Sequence, residues 1–221
     1  MFRRALAPMM AVFLMVGLSA PASAQQFSSD PKAFVDGVTH YAIDDILTPS
    51  LTKDEQMARF AKLVDTAFNM DYISRFVTGA AWRQATDAQR AEFSSLFREM
   101  NIYTWGQRFN EYDNQTIEVT GVKSQETRGG TIHEVTSTVS TGKGKPIIVN
   151  WVALQPATGT GGLGLIDIKV EGVSMLQTFR SDYQAVLKNT GSMDGLNAVL
   201  REKVAALKDG TAPLPAPQPA Q

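Results

Sequence analysis

The 221-residue sequence predicts an α+β fold: helices, then a curved antiparallel sheet of about four strands covered on one face, then helices again. Three observations carry that prediction. Apolar residues recur at helical spacing up to about residue 109. Four runs rich in Ile, Val and Thr, separated by glycine-bearing turns, fill the span from 116 to 170. Helical stripes return between Leu176 and Leu207.

Each helix carries its own start signal. Asp30-Pro31 places a capping residue before a proline at the first helical position, and Val35, Val38, Ala42 and Ile46 then form one stripe. Thr52-x-x-Glu55 is a capping box, followed by Met57, Phe60, Ala61, Val64 and Phe68 on one face. Asp71 opens a short helix that Gly79 ends. Thr86-x-x-Gln89 is a second capping box and starts the longest helix, to about Phe109. Its first half has the stripe Phe93, Leu96, Phe97 and Met100. Its second half adds Ile102, Tyr103, Trp105 and Phe109 around most of the circumference, which requires cover on nearly all sides.

The strands are Thr116–Lys123, Thr131–Thr141, Pro146–Leu154 and Leu163–Val170, and their short links specify a meander. Gly142-Lys143-Gly144-Lys145 is a hairpin turn, since no helix follows it to make a phosphate loop. Ser174-x-x-Gln177 reads as a capping box; the hydrolase elbow that Gly172-Val173-Ser174 suggests would need Gly where Leu176 stands. Leu176, Phe179, Tyr183, Val186 and Leu187 stripe the next helix, which stops at Gly191. Leu196, Val199, Leu200, Val204 and Leu207 stripe the last. From Gly210 onward, four prolines in seven residues make an extended tail, residues 210–221.

Composition narrows the function. Arg3 and Arg4, the apolar run Ala5–Ala20 and Ala22-Ser23-Ala24 have the form of a cleavable export signal over residues 1–24, leaving a mature domain of 25–209. The sequence has no Cys and two His, His40 and His133, which excludes thiol chemistry and Cys-based metal sites and leaves little for a triad. No cofactor or metal is expected. Charges of both signs are mixed, with no basic run to bind nucleic acid. Asp167, between Ile166 and Ile168, could serve as an isomerase-type base, but strand alternation favours a polar outward position.

A family resemblance then enters. Glu171-Gly172-Val173-Ser174-Met175, followed by Met193-Asp194-Gly195-Leu196, resembles the signature of the periplasmic lipid-carrier component of the Mla (maintenance of lipid asymmetry) system, also called toluene-tolerance proteins. Upstream, Ala81-Trp82-Arg83-Gln84-Ala85-Thr86, Gln89-Arg90 and Phe93–Phe97 resemble the same family. The resemblance runs from about Phe34 to Leu207. It implies a fold related to nuclear-transport-factor-2-like (NTF2-like) domains with a helical subdomain, and a lipid cavity between sheet and helices. It also implies a cargo of one diacyl phospholipid, and two partners. These are an outer-membrane lipoprotein complex and an inner-membrane ABC transporter with a substrate-binding ring.

On that reading the residues expected to meet acyl chains are Tyr72, Phe76, Phe97, Met100, Tyr103, Trp105, Val149, Trp151, Ile166, Val173 and Met175. Val173 and Met175, in the densest part of the resemblance, are expected to reach the tails directly. The aromatics are equally core residues by type, and sequence does not separate a filled core from a lined pocket. Two other functions stay open: an enzyme of the same fold class acting on a lipid or steroid-like substrate, and a chaperone-like periplasmic partner.

Overall fold

The computed structural model describes residues 27–112, 114–140, 144–158 and 162–211. The export signal, part of the 142–145 turn and most of the proline-bearing tail lie outside them. Helix α1 (Pro31–His40) begins where expected: Asp30 Oδ1 accepts from Ala33 N at 2.8 Å, and Pro31 occupies the first turn. Beyond His40 the chain widens into a π-helix, Tyr41–Ile46, in which Leu47 N donates to Ala42 O at 3.0 Å. The single α-helical stripe through Ile46 is thus corrected. The i→i+5 bonding adds a residue to the turn and changes which side chains follow one another on the inner face.

Both capping boxes form in full, at the starts of α2 (Lys53–Ala67) and α5 (Asp87–Gly106). In each, the threonine hydroxyl accepts from the N3 amide and the N3 side chain accepts from the threonine amide. Helix α3 (Met70–Thr78) is capped by Asn69 rather than Asp71: Asn69 Oδ1 accepts from Tyr72 N at 3.0 Å. Gly79, at φ +57°, separates it from the short α4 (Ala80–Gln84). Helix α5 ends at Gly106, and Phe109 falls in a 3-10 turn, Phe109–Glu111. Nor is α5 covered on all sides, because Trp105 is 42% exposed.

The sheet is an antiparallel meander of five strands in the order β1 (Thr116–Thr127), β2 (Gly130–Ser140), β3 (Ile147–Pro156), β4 (Gly164–Val170) and β5 (Val173–Ser174). The fifth strand, only two residues long, carries no period-2 pattern that sequence could reveal. Register places Val135, Trp151 and Ile168 in one row of the inner face, and His133, Ala153 and Leu165 in another. Irregularities at Val119/Gly121 and Val152/Ala153 bend the strands and strengthen their twist. Gly172 sits at φ +82° with open space around its missing Cβ, so the turn requires glycine for backbone shape rather than for close approach. Its neighbour Glu171 is left-handed too, at φ +49°. Two hydrogen bonds hold it: Glu171 N donates to Ile148 O, and Glu171 Oε1 accepts from Ile148 N.

Helices α6 (Met175–Thr190) and α7 (Met193–Lys208) close the chain. Apolar burial divides into two clusters. The first joins Phe34, Val35, Val38, Ile46, Leu63 and Ala67 to the inner sheet residues Val135, Ala153 and Leu165. The second is all helical: Ile73 and Val77 of α3, Phe93 and Phe97 of α5, Leu176 and Tyr183 of α6, and Leu196 and Leu200 of α7. Tyr183 meets Phe93 and Phe97 edge-on at 5.8 and 5.5 Å between centroids, and burial pushes its phenol well above the ordinary pKa. Phe68, in the extended link between α2 and α3, packs against both clusters and bridges to Leu165 of β4. Among the described residues no helix is long and apolar enough to cross a membrane.

Candidate functional site

The two clusters do not merge. Between them lies a cavity of about 550 Å³, within the range of ligand-sized pockets. Its walls come from helices on several sides and from the sheet. Val38, Ala42 and Leu47 come from α1, the π-helix and the residue that follows it; Phe60, Leu63 and Val64 from α2; Phe97, Asn101 and Trp105 from α5; Trp151, Ile166, Ile168 and Val170 from the sheet. Met175, Leu176 and Phe179 at the start of α6 close the remaining side.

Local structure explains why these side chains converge. Trp151 Nε1 donates to Ser137 Oγ at 2.9 Å, so the indole's one polar atom is satisfied by the sheet and the ring can face an apolar space. Ile166 is the extra residue of the β4 irregularity: Val152 pairs with Asp167 and Ala153 with Leu165. Alternation breaks there, and Leu165 and Ile166 are both buried, at 0% and 4% exposed.

Of the residues expected at the acyl chains, Phe97, Trp105, Trp151, Ile166 and Met175 line the cavity. Six others do not. Tyr72 and Phe76 stack on each other at 6.2 Å, and Arg180 lies over the Phe76 ring at 4.7 Å. Met100 packs on the helical cluster, and Tyr103 lies beneath Lys208 Nζ at 5.5 Å. Val149 is buried in the sheet outside the lining, beside its cross-strand partner Val170, which is part of it. Val173, 37% exposed in β5, stands outside the lining: its strand runs along the sheet edge, one position before the α6 cap turns the chain inward. Sequence reasoning missed Phe60, Leu63, Val64, Phe109, Ile168 and Phe179. Their helical or strand stripes were visible, but a stripe that packs and a stripe that lines a cavity have the same period.

Asp167 shares a cross-strand row with Val152 and Glu134, opposite the row of Trp151 and Val135. Its carboxylate accepts from Ser174 Oγ at 2.6 Å and from Leu176 N at 2.8 Å. Ser174 in turn accepts from Gln177 N at 3.0 Å. Only this half of the expected capping box is seen, and Asp167 supplies the second acceptor at the α6 start.

One stretch of the lining combines polar groups with exposure to solvent. It comprises Trp105, Arg108, Glu111 and Tyr112, with Trp105 and the Glu111 side chain open to solvent at 42% and 59% exposure, and this is the open end of the cavity. Phe97, Ile166 and Leu176 of the same lining are all buried. A second depression, of about 510 Å³, is lined by Phe68 and Met70 together with the polar residues Asp65, Asn69, Asp71, Ser94, Ser95 and Arg98. The Arg98 guanidinium grips both Asp65 oxygens there, at 2.5 and 2.6 Å.

The fold is similar to that of a solved structure, the phospholipid-binding protein from Ralstonia solanacearum in complex with a phospholipid. The two are 22% identical with a TM-score of 0.62, over 77% of this chain and 97% of that one. Residues 36–202 match the family model described as MlaC protein, a span that contains every residue lining the cavity. The chain belongs to the MlaC family.

Proposed function

We propose that this protein is a periplasmic phospholipid carrier, exported by the signal over residues 1–24. Its domain of 25–209 holds the acyl chains of one diacyl lipid and carries them between an outer-membrane lipoprotein complex and an inner-membrane ABC transporter. That traffic would maintain the lipid asymmetry of the outer membrane. The observation that carries the proposal is the cavity between two separate apolar cores, lined mainly by aromatic and aliphatic side chains.

Energetics favour a carrier over free release. Each buried methylene is worth ~0.8 kcal/mol, so two sixteen-carbon tails amount to roughly 25 kcal/mol of transfer free energy. That exceeds the ~18–21 kcal/mol at which non-covalent affinities saturate. Lipid therefore has to pass directly from one apolar site to another. Such a carrier needs no reacting group, and Asp167, the candidate base of the enzymatic alternative, spends both oxygens holding the start of α6.

The test is mass spectrometry of an organic extract of protein purified without detergent. The expected result is about one diacyl phospholipid per chain. A folded preparation that contains no lipid and takes up none from vesicles would overturn the carrier reading.

A further inference from the structure

The charged groups among the described lining residues are Arg108, Glu111 and Asp167, and Asp167 is occupied by the α6 cap. That leaves Arg108 and Glu111 as the charged groups where the described lining meets solvent, and the two are placed differently. The Arg108 side chain is 12% exposed. Its Nη1 donates to Glu111 Oε2 at 3.3 Å, and its guanidinium carbon lies 5.9 Å from the centre of the Trp105 ring. The positive charge is therefore held inward by a carboxylate and a ring face. The Glu111 side chain, 59% exposed, presents the charge that an arriving head group meets.

Neighbouring polar groups act in the same sense. Tyr112 spends its hydroxyl proton on Gln115 O at 3.3 Å, and Asn101 donates from its amide to Phe97 O at 2.7 Å. Each of those donations goes to a protein partner, while the Glu111 carboxylate stays 59% exposed. A lipid phosphate beside the inward guanidinium would put a head-group ammonium near the outward carboxylate, whereas a head group lacking that cation would leave Glu111 facing only negative charge.

We infer that the Arg108–Glu111 pair at the mouth makes this site selective for zwitterionic phospholipids with a primary ammonium over anionic phospholipids with a hydroxyl head group. This rests on the carrier reading above and deepens it. A partly exposed ion pair contributes modestly, so the selectivity is about three-fold, and it falls as added salt screens the charges.

The experiment incubates the purified protein with excess vesicles of equimolar phosphatidylethanolamine and phosphatidylglycerol carrying identical acyl chains. The readout is the ratio of the two lipids extracted from the re-isolated protein. The wild type is expected to enrich phosphatidylethanolamine about three-fold. Glu111→Gln should return the ratio toward that of the vesicles, and Glu111→Lys should invert it. Because the ratio is internal to each sample, altered total uptake by a variant does not affect it. A wild-type ratio equal to that of the vesicles, or a preference that survives both substitutions, overturns the selectivity while leaving the carrier intact. Absence of any lipid uptake by the wild type overturns both.

Discussion

Asp167 shows how a single carboxylate can look reactive in sequence and prove architectural in three dimensions. It ties β4 to α6 by accepting from Ser174 Oγ and Leu176 N. Hydrogen bonds to a charged acceptor are worth about 1.5–3 kcal/mol, and a cap of the Ser174 kind about 0.5–2 kcal/mol. Asp167→Asn and Ser174→Ala should each lower stability in urea titrations, and the double variant should lose less than the two losses added, because they share one bond. Additive losses would show that the residues act separately. Met175 and Val173, two positions apart, give a second test. A glutamate at Met175 would have to be desolvated whenever a tail occupies the cavity, at several kcal/mol. Met175→Glu is expected to reduce lipid content sharply, and Val173→Glu, on the exposed edge strand, to retain it. Equal lipid in both variants would show that the tails do not reach Met175. The sequence distinguished neither residue from the other, since both lie in the same signature and only the turn geometry at Glu171 and Gly172 sends one outward and the other in.

Helices were legible to the extent that their ends are written locally. Both capping boxes, the Asp30-Pro31 start and the Gly79 stop are interactions among residues within four positions of one another. The π-helix, the β4 irregularity and the two-residue β5 were not legible, since each arises where tertiary packing overrides a local period. Partnership between helices was equally hidden. The C-terminus of α3 is satisfied by α6: Gln184 Nε2 donates to Val77 O and Thr78 O, and Arg180 Nη1 donates to Phe76 O. Those carbonyls belong to the last turn, where no helical donor is available. Gln184→Ala should therefore cost about 1–3 kcal/mol, read from the shift of the urea midpoint at constant slope. A midpoint within error of the wild type would mean that solvent replaces the amide at no cost. On this account Tyr72 and Phe76, aromatic enough to suggest a pocket, belong to the seam that joins α3 to α6.

At the scale of the molecule, the cavity is the seam between a sheet-backed core and an all-helical one, spanned by Phe68. Lipid in that seam completes contacts that the protein alone leaves open. A ligand present at 100 times its Kd stabilises by about 2.7 kcal/mol, which for a chain of this size shifts the melting temperature by roughly 5–10 °C. Calorimetry on lipid-loaded protein and on protein stripped of lipid should show that difference. Identical melting would indicate that the cavity closes on itself when empty. The sequence supplied the apolar residues of both cores but not the gap between them, because volume left unfilled has no residue of its own.

The division into two cores also sets an order of events in time. The helical core is assembled from α3 and α5 on one side of the sheet segment and α6 and α7 on the other. Gln89, which donates to Asp194 at 2.8 Å, lies 105 positions from its partner. A chain that emerges N-terminus first can pair β1 with β2 through a tight turn as soon as both strands are out. It cannot cover Phe93 and Phe97 until the last helices have followed. Loop closure over such a span is slow compared with hairpin formation, so those two rings are the last large apolar surface to leave water. During that interval the half-built protein offers greasy surface to its surroundings, and its need for a folding helper is greatest just before synthesis of the chain ends.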